Sequence, residues 1–198
     1  NIILFGESGA GKSSLVDMIA GMDCAKTSDG AVGCTFQSTS YDVDLPDHSL
    51  IIWDTAGLNE GQKGNINFTE AAGNIYKLTY QLDGVNLLVY CVRSRITNNM
   101  VQNYNMFRAF CDDEVPIVLV ITAMENCPDG DVWWASNIHH FEKEGIEVVD
   151  HACVSTLKGY GEGKYEAWRA EVQDMIAKHY LRTPWVMAKE SWFVWAVT

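Results

Sequence analysis

The chain has few basic residues. Lysine and arginine together number 14 among 198 residues, against 26 aspartate and glutamate residues, so the formal net charge is −12. A protein that binds nucleic acid neutralises phosphates with a basic face. The charge balance therefore argues against a nucleic-acid partner.

Long apolar runs and metal-type cysteine spacings are also missing from the sequence. No apolar stretch reaches the ~18 residues that a membrane span needs, and no signal peptide is visible. The six cysteines form no CxxC pair, which favours buried, reduced thiols. We therefore expect a cytoplasmic protein that meets membranes only peripherally, if at all. Because Asn1 opens a predicted strand, we also expect the natural chain to continue upstream.

What is present is the pattern of an α/β domain. Four nearly continuous apolar runs are typical of parallel strands buried on both faces, whereas 38–45 alternates and predicts an edge strand antiparallel to its neighbour. Apolar residues at i, i+3, i+4 or i+7 spacing predict helices between the runs. Two of these buried stripes are Met100, Tyr104, Phe107 and Cys111, and Trp134, Ile138 and Phe141. The predicted fold has three layers, with a mostly parallel six-stranded sheet, one antiparallel edge strand and helices on both faces. The predicted strands are 2–5, 38–45, 50–53, 87–92, 117–121 and 148–154.

The composition changes near the C-terminus. Residues 183–198 carry three tryptophans and one phenylalanine after an amphipathic helical pattern. We therefore divide the chain into a domain at 1–182 and an aromatic extension at 183–198. Two interpretations remain open: the extension folds back over the domain, or it offers an apolar patch to a partner, a second subunit or a membrane surface.

The sequence GESGAGKS at 6–13 matches the phosphate-binding pattern G-x-x-x-x-G-K-[ST]. It follows a predicted strand and precedes a predicted helix, so backbone N–H groups and the positive helix end point at one anion. We expect Lys12 to reach the β- and γ-phosphates and Ser13 to offer its hydroxyl to Mg²⁺. The residues predicted to bind nucleotide here are Glu7, Ser8, Gly9, Ala10, Gly11, Lys12, Ser13 and Ser14.

A second motif, WDTAG at 53–57, predicts the rest of the magnesium site. Asp54 ends a buried strand, where a carboxylate can hold Mg²⁺, usually through water, and the Gly57 N–H can meet the γ-phosphate. Between the two motifs, Thr35 can add a second hydroxyl ligand, with Thr27 and Thr39 as alternatives. The predicted metal ligands are thus Ser13, Thr35 and Asp54, and loops 24–38 and 57–70 are candidate switches.

These motifs together resemble those of a P-loop GTPase G domain. GESGAGKS, GCT and WDTAG occur in the order that such domains use. The stretch LLVYCVRSRIT at 87–97, and Leu58 after DTAG, are similar to the AIG1/GIMAP, Toc34 and septin-like group. The resemblance covers about residues 1–180. It implies a domain that binds Mg²⁺ and GTP or GDP, forms a homodimer across its nucleotide face and serves an unknown effector.

The base-reading end departs from the family pattern. G domains use [NT]-K-x-D after the fifth strand, and this chain has TAME at 122–125. Glu125 can accept from guanine N1–H and the 2-amino group, a donor pair that adenine lacks, but Ala123 replaces the usual lysine. The predicted base-site residues are Thr122, Glu125 and Ser155, with Thr156 as an alternative to Ser155. Trp133 or Trp134 can either stack near the base or anchor a helix on the sheet.

A ready catalytic side chain for hydrolysis is missing. Many small GTPases orient the attacking water with a glutamine directly after DxxG, where this chain has Leu58. Gln62 or Glu60 could substitute, or a second subunit could supply an arginine. Arg93 and Arg95 lie in a stretch that resembles the family's interface, with a surface or capping role as the alternative.

We therefore predict a GTPase that hydrolyses GTP to GDP and phosphate slowly without a partner. The predicted catalytic residues are Lys12, Thr35 and Gln62. One alternative is a switch or scaffold that binds GTP without turning it over. A less favoured one is a P-loop enzyme that uses ATP.

Overall fold

The computed structural model describes residues 1–23, 38–45, 48–55, 68–127, 129–159, 161 and 163–187. Within this part of the chain there are six strands and five helices, and strands and helices alternate except that the third strand follows the second directly. The strands are β1 (Ile2–Phe5), β2 (Ser38–Leu45), β3 (His48–Thr55), β4 (Leu87–Arg93), β5 (Ile117–Thr122) and β6 (Asp150–Cys153). The helices are α1 (Lys12–Ala20), α2 (Phe68–Gln81), α3 (Asn98–Phe110), α4 (Gly130–Lys143) and α5 (Lys164–His179). No helix in the described ranges has the length and apolarity to traverse a membrane.

The strands form one sheet in the order β2-β3-β1-β4-β5-β6. Every neighbouring pair is parallel except β2 with β3, which is antiparallel. The predicted fold class is confirmed. The predicted strand 50–53 is too short, because ladder pairing with β2 carries β3 from His48 to Thr55. The predicted strand 148–154 is too long, because pairing with β5 covers only Asp150–Cys153.

Two apolar clusters cover the two faces of the sheet. One contains Ile3 and Phe5 with buried residues of α2 and α3, and the other contains Ile2 and Leu4 with those of α1 and α5. Side chains of successive strand residues point to opposite faces, so each β1 residue is buried on one side or the other. This two-sided burial explains the unbroken apolar run IILF before the phosphate loop.

The helix patterns are buried to different degrees. The predicted stripe of α3 is confirmed, because Met100, Tyr104 and Phe107 are each at most 1% exposed. The stripe predicted for α4 is only partly correct. Phe141 is buried, but Ile138 is half-buried, so α4 packs less deeply than its apolar spacing predicts.

The described cysteines are free thiols, in agreement with the prediction of reduced side chains. Cys91, Cys111 and Cys153 are buried. Burial raises the pKa of each of these three thiols to about 12. The thiolate is the reactive form, so we expect these three residues to be inert. Cys24 and Cys34 lie outside the described residues.

The beginning of the C-terminal extension packs on the domain. The Val85 N–H donates to the Trp185 carbonyl at 2.8 Å, and the Trp185 N–H donates to the Val85 carbonyl at 2.9 Å. Just before it, the Asn86 side-chain amide donates to the Leu181 carbonyl at 2.7 Å. The fold-back interpretation thus holds for residues 183–187. The other aromatic residues of the extension belong to 188–198, outside the described residues.

Asp150 joins the start of β6 to the end of α5. Its carboxylate accepts from the Lys178 ammonium at 3.0 Å and contacts His179 Nε2 at 2.7 Å. It also accepts from the His151 backbone N–H at 2.9 Å. Burial alone would raise the pKa of Asp150, but these hydrogen bonds outweigh burial and lower the pKa to about 2.

We expect Asp150→Asn to remove part of the acid sensitivity of folding. A carboxyl whose pKa is depressed in the folded state stabilises that state above its unfolded pKa of about 4, and this stabilisation is lost as the pH falls towards 2. The variant should lose up to about 1 kcal/mol at pH 7, since the partners are near the surface, and the difference should shrink by pH 3. Urea unfolding across this range measures it. The exposed Asp83 provides the control Asp83→Asn, and equal behaviour of the two variants would contradict the assignment.

Candidate nucleotide-binding site

The phosphate loop lies between β1 and α1 and depends on glycine where it meets β4. The backbone of Gly6 lies against Cys91, and a Cβ placed on Gly6 would be 2.1 Å from the Cys91 carbonyl oxygen. Further along the loop, the Ala10 N–H donates to the Glu7 carbonyl at 3.1 Å. Gly11 then adopts φ +92 as the N-cap of α1, a conformation that L side chains avoid. The loop therefore curls closely over the sheet before the helix begins.

Two neighbouring strands hold this loop in place through one carbonyl. The Thr122 hydroxyl donates to the Ala10 carbonyl at 2.6 Å, and the Cys91 thiol donates to the same oxygen at 3.2 Å. Thr122 is 2% exposed, so its hydroxyl is committed to the loop. The sequence predicted Thr122 as a nucleotide ligand and did not predict its hydrogen bond to the Ala10 carbonyl.

Lys12 is almost fully buried under the loop. It is 7% exposed, and its ammonium donates to the carbonyls of Gly6 and Glu7, both at 3.0 Å. Among the described residues it forms no salt bridge. A buried cation without an ion-pair partner is costly, and a bound phosphate would supply one. The position agrees with the phosphate-binding role predicted for Lys12.

Ser13 and Asp54 meet at the start of α1. The Ser13 hydroxyl donates to Asp54 Oδ2 at 2.8 Å, whereas the buried Asp54 Oδ1 has no hydrogen-bond partner among the described residues. Burial raises the pKa of Asp54, and the Ser13 hydrogen bond and the charge of Lys12 act against this rise. A hydroxyl beside an unsatisfied carboxylate oxygen suits Mg²⁺, which prefers oxygen ligands. These two residues therefore fit the predicted magnesium site.

A cleft of about 450 Å³ opens above these residues. Its lining comes from the phosphate loop and the start of α1, from Asp54, and from residues at and after the end of β5. Arg93 and residues 156–157 complete the lining. The lining residues are Ser8, Gly9, Gly11, Lys12, Ser13, Ser14, Asp54, Arg93, Thr122, Ala123, Glu125, Thr156 and Leu157.

Three predicted ligands do not line this cleft, and each has a structural contact instead. Glu7 Oε1 accepts from the Thr97 hydroxyl at 2.7 Å, so this side chain faces the start of α3. Ala10 contributes the carbonyl that Thr122 and Cys91 share. The fully buried Ser155 donates to Glu125 Oε2 at 3.2 Å.

The base-reading segment is held between β5 and β6. The Met124 N–H donates to the Val154 carbonyl at 3.2 Å, which fixes the segment between Ala123 and Glu125. Ser155 orients the Glu125 carboxylate from behind, and Thr156, the predicted alternative to Ser155, lines the cleft itself. Glu125 and Thr156, from the segments after β5 and β6, therefore both line the cleft.

The tryptophans of α4 lie away from this cleft. The Trp134 ring stacks on the His151 ring with centroids 4.2 Å apart, and it packs beside Phe141. Trp133 lines a separate cavity between α3 and α4. The helix-anchoring interpretation is the one that the structure bears out.

Arg93 and Leu157 are cleft residues that the predicted site set did not contain. Arg93 could have been found from strand alignment, since it ends β4 opposite Thr122. Nothing in the sequence marks Leu157. The predicted residues Thr35, Gly57 and Gln62 lie outside the described residues, as do Leu58 and Glu60.

A family model described as 50S ribosome-binding GTPase matches residues 1–123 of this chain. The match covers more than half of the sequence and includes both phosphate motifs. The chain belongs to this GTPase family. The structure is accordingly that of a P-loop GTPase G domain, and residues of both phosphate motifs line the cleft described above.

Solved structures share the fold of this G domain. Era, in complex with MgGDPNP and part of 16S ribosomal RNA, matches with a TM-score of 0.65 at 16% identity, over 95% of this chain and 59% of that chain. A structure of the chloroplast translocon components atToc33 and psToc159 matches at 0.63 and 16% identity, over 94% and 85%. A dimerisation-deficient mutant of Toc33 from Arabidopsis thaliana matches at 0.58 and 15% identity, over 94% and 86%.

At these identities the likeness is one of fold. The G domain spans 56% of the length of SsGBP, another structure with this fold, and 59% of Era. It spans 85% of the matched Toc chain.

Proposed function

We propose that this G domain binds Mg²⁺-GTP in the cleft and hydrolyses it slowly to GDP. The observation that carries the proposal is the convergence of the buried Lys12, the Ser13 hydroxyl and the unsatisfied Asp54 oxygen at one end of the cleft. Lys12 would exchange its two carbonyl partners for phosphate oxygens. Mg²⁺ bound by Ser13 and Asp54 would neutralise charge on the β- and γ-phosphates.

We expect slow hydrolysis because of the residue that follows the DTAG motif in the sequence. Lys12 and the loop amides position the phosphates and stabilise developing charge. We propose that Thr35 and Gly57 close over the γ-phosphate. Leu58 can neither donate to nor accept from a water, so orientation of the nucleophile falls to Gln62 or to a residue of a second copy. The same leucine supports a second candidate function, a GTP-dependent switch or scaffold with negligible turnover.

Guanine selection is assigned to Glu125, and Glu125→Ala tests it. The Ser155 hydroxyl holds the carboxylate, which can accept two hydrogen bonds from guanine but meets a repelling acceptor on adenine. We expect the wild type to prefer GTP over ATP and the variant to lose about 100-fold of that preference. Competition of labelled GDP by unlabelled GTP and ATP measures the ratio. The exposed Glu114 provides the control Glu114→Ala. An unchanged ratio of GTP to ATP affinity in Glu125→Ala would show that Glu125 does not select guanine. The domain would then use ATP, or another residue would recognise the base.

We also propose that the domain belongs near the AIG1/GIMAP, Toc34 and septin-like group and forms a homodimer across its nucleotide face. The comparison with atToc33 and psToc159 supports this, because dimerisation is described as important for the GTPase activity of those proteins. Arg95 is exposed just beyond β4, and its N–H donates to the Arg93 carbonyl at 2.8 Å in a tight turn. Arg95 follows the cleft residue Arg93 by two positions, and we propose that a facing copy uses its guanidinium.

Light scattering after size exclusion tests the dimer. We expect twice the monomer mass with a non-hydrolysable GTP analogue and the monomer mass with GDP. If Arg95 acts across the interface, the hydrolysis rate per molecule should rise with protein concentration in the wild type. In Arg95→Ala this increase should be smaller by a factor of at least about 10. A dimer that does not hydrolyse GTP would favour the switch. The same molecular mass with GDP and with the GTP analogue would rule out nucleotide-dependent dimerisation for both the GTPase and the switch.

A further inference from the structure

Among the described residues that line the nucleotide cleft, Arg93 is the exposed cation. It is the last residue of β4, lies opposite Thr122 in the sheet register, and lines the cleft together with Ala123. Its side chain is exposed. No hydrogen bond or ion pair joins its guanidinium to the residues that the structure describes. A long charged side chain at a binding wall is therefore available for a ligand.

The other cation that lines the cleft occupies a different place. Lys12 is buried beneath the phosphate loop and contacts the carbonyls of Gly6 and Glu7. Arg93 ends β4, which lies in the sheet between β1, the strand before the phosphate loop, and β5, the strand before Glu125. The two positive charges thus come from different elements of the cleft lining.

Few side-chain atoms from the end of β5 are available to contact a base in the cleft. Thr122 is tied to the Ala10 carbonyl, and Ala123 presents a single methyl group from a backbone with φ +60. Neither residue can cover the face of a purine whose edge is read by Glu125. Arg93 is the adjacent long side chain, one strand away, with a stem and a planar head that can do so.

We propose that Arg93 lies along the face of the bound guanine, in the place that Ala123 leaves open. This inference rests on the proposed guanine-nucleotide binding. The aliphatic stem would cover apolar ring surface, and the guanidinium would stack on the π-system. Arg93 is then a specificity and affinity residue of the base site, while Lys12 serves the phosphates.

Affinities of GMP, GDP and GTP for Arg93→Ala test this assignment. A contact with the base predicts the same loss for all three nucleotides, about 10-fold. The matched control is Arg182→Ala, because Arg182 is exposed on the segment after α5 and does not line the cleft. A loss that grows with the number of phosphates would overturn the base contact, and so would affinities equal to those of Arg182→Ala.

A rescue variant provides an independent test. Lysine at position 123 would place its own stem along the same base face, so Ala123→Lys combined with Arg93→Ala should recover most of the lost affinity. A folded double variant that binds as weakly as Arg93→Ala would overturn the shared position. The outcomes separate the two proposals. If the wild type binds no guanine nucleotide, the proposed function fails; if it binds and Arg93→Ala is neutral, only this inference fails.

Discussion

Replacing Lys12 by alanine should lower the affinity for GDP and GTP by at least about 100-fold, the size expected when one partner of a desolvated charge pair is removed. The ammonium is buried and its present partners are two neutral carbonyls. A triphosphate would therefore meet a cation that is already in place and forms no ion pair in the described part of the chain. Without it, the loop amides alone would face the phosphates.

Equilibrium titration with a fluorescent guanine nucleotide measures this effect. Lys77→Ala removes an exposed lysine of α2 and should bind like the wild type. Circular dichroism and unfolding of Lys12→Ala would show that the loop has not collapsed after losing two hydrogen bonds. Equal binding or equal hydrolysis by a folded Lys12→Ala protein would contradict the proposed site.

The second large effect is expected in stability. Gly6→Ala should cost about 3–5 kcal/mol of unfolding free energy, among the largest effects of single substitutions. A Cβ at this position would lie 2.1 Å from the Cys91 carbonyl oxygen and 3.1 Å from its carbon. Both atoms are backbone of the central strand β4, so neither can rotate away. Relief would require β1 and β4 to separate where they are paired.

Gly145→Ala separates this clash from simple backbone strain. Gly145 has φ +73, and a Cβ there meets nothing within 4 Å, so it should cost only about 1–2 kcal/mol. Denaturant unfolding without nucleotide compares the two variants with the wild type. Equal losses of unfolding free energy in the two variants would show that Gly6 does not pack tightly against Cys91. The position of the phosphate loop on β4 would then need another explanation.

The phosphate end of the site was predictable because its chemistry is local. Six contiguous residues from Glu7 to Lys12 follow a strand and enter a helix, and such a loop needs no distant partner to be recognised. The pairing of Ser13 with Asp54 was predictable for a related reason. The carboxyl ends of neighbouring parallel strands meet at one edge, so a motif after β3 lies beside a motif after β1.

The base end was less predictable because it depends on contacts between distant segments. Ser155 is separated from Glu125 by 30 positions in sequence, and their hydrogen bond follows from how the segments beyond β5 and β6 are placed. Thr122 was assigned to the ligand because its motif position is familiar. Its hydroxyl instead holds a carbonyl 112 positions away. Arg93 was interpreted as an interface, surface or capping residue, because its place in the cleft lining depends on the pairing of β4 with β5.

The helices show the same limit in their packing. Apolar spacing predicted the buried stripe of α3 correctly, because Tyr104 and Phe107 lie against a sheet covered on that face. The similar spacing in α4 predicted deeper burial than is found. Trp134 stacks on His151 at the edge strand β6, where fewer neighbours are available to cover a helix.

Calorimetric titration of the wild-type protein with GDP and with ADP, in the presence of Mg²⁺, tests the central claim most directly. The proposed site predicts one GDP bound per chain and binding of ADP at least about 100-fold weaker, since adenine offers Glu125 no pair of donors. No heat with GDP, or equal affinities for the two nucleotides, would contradict the assignment of this cleft to a guanine nucleotide.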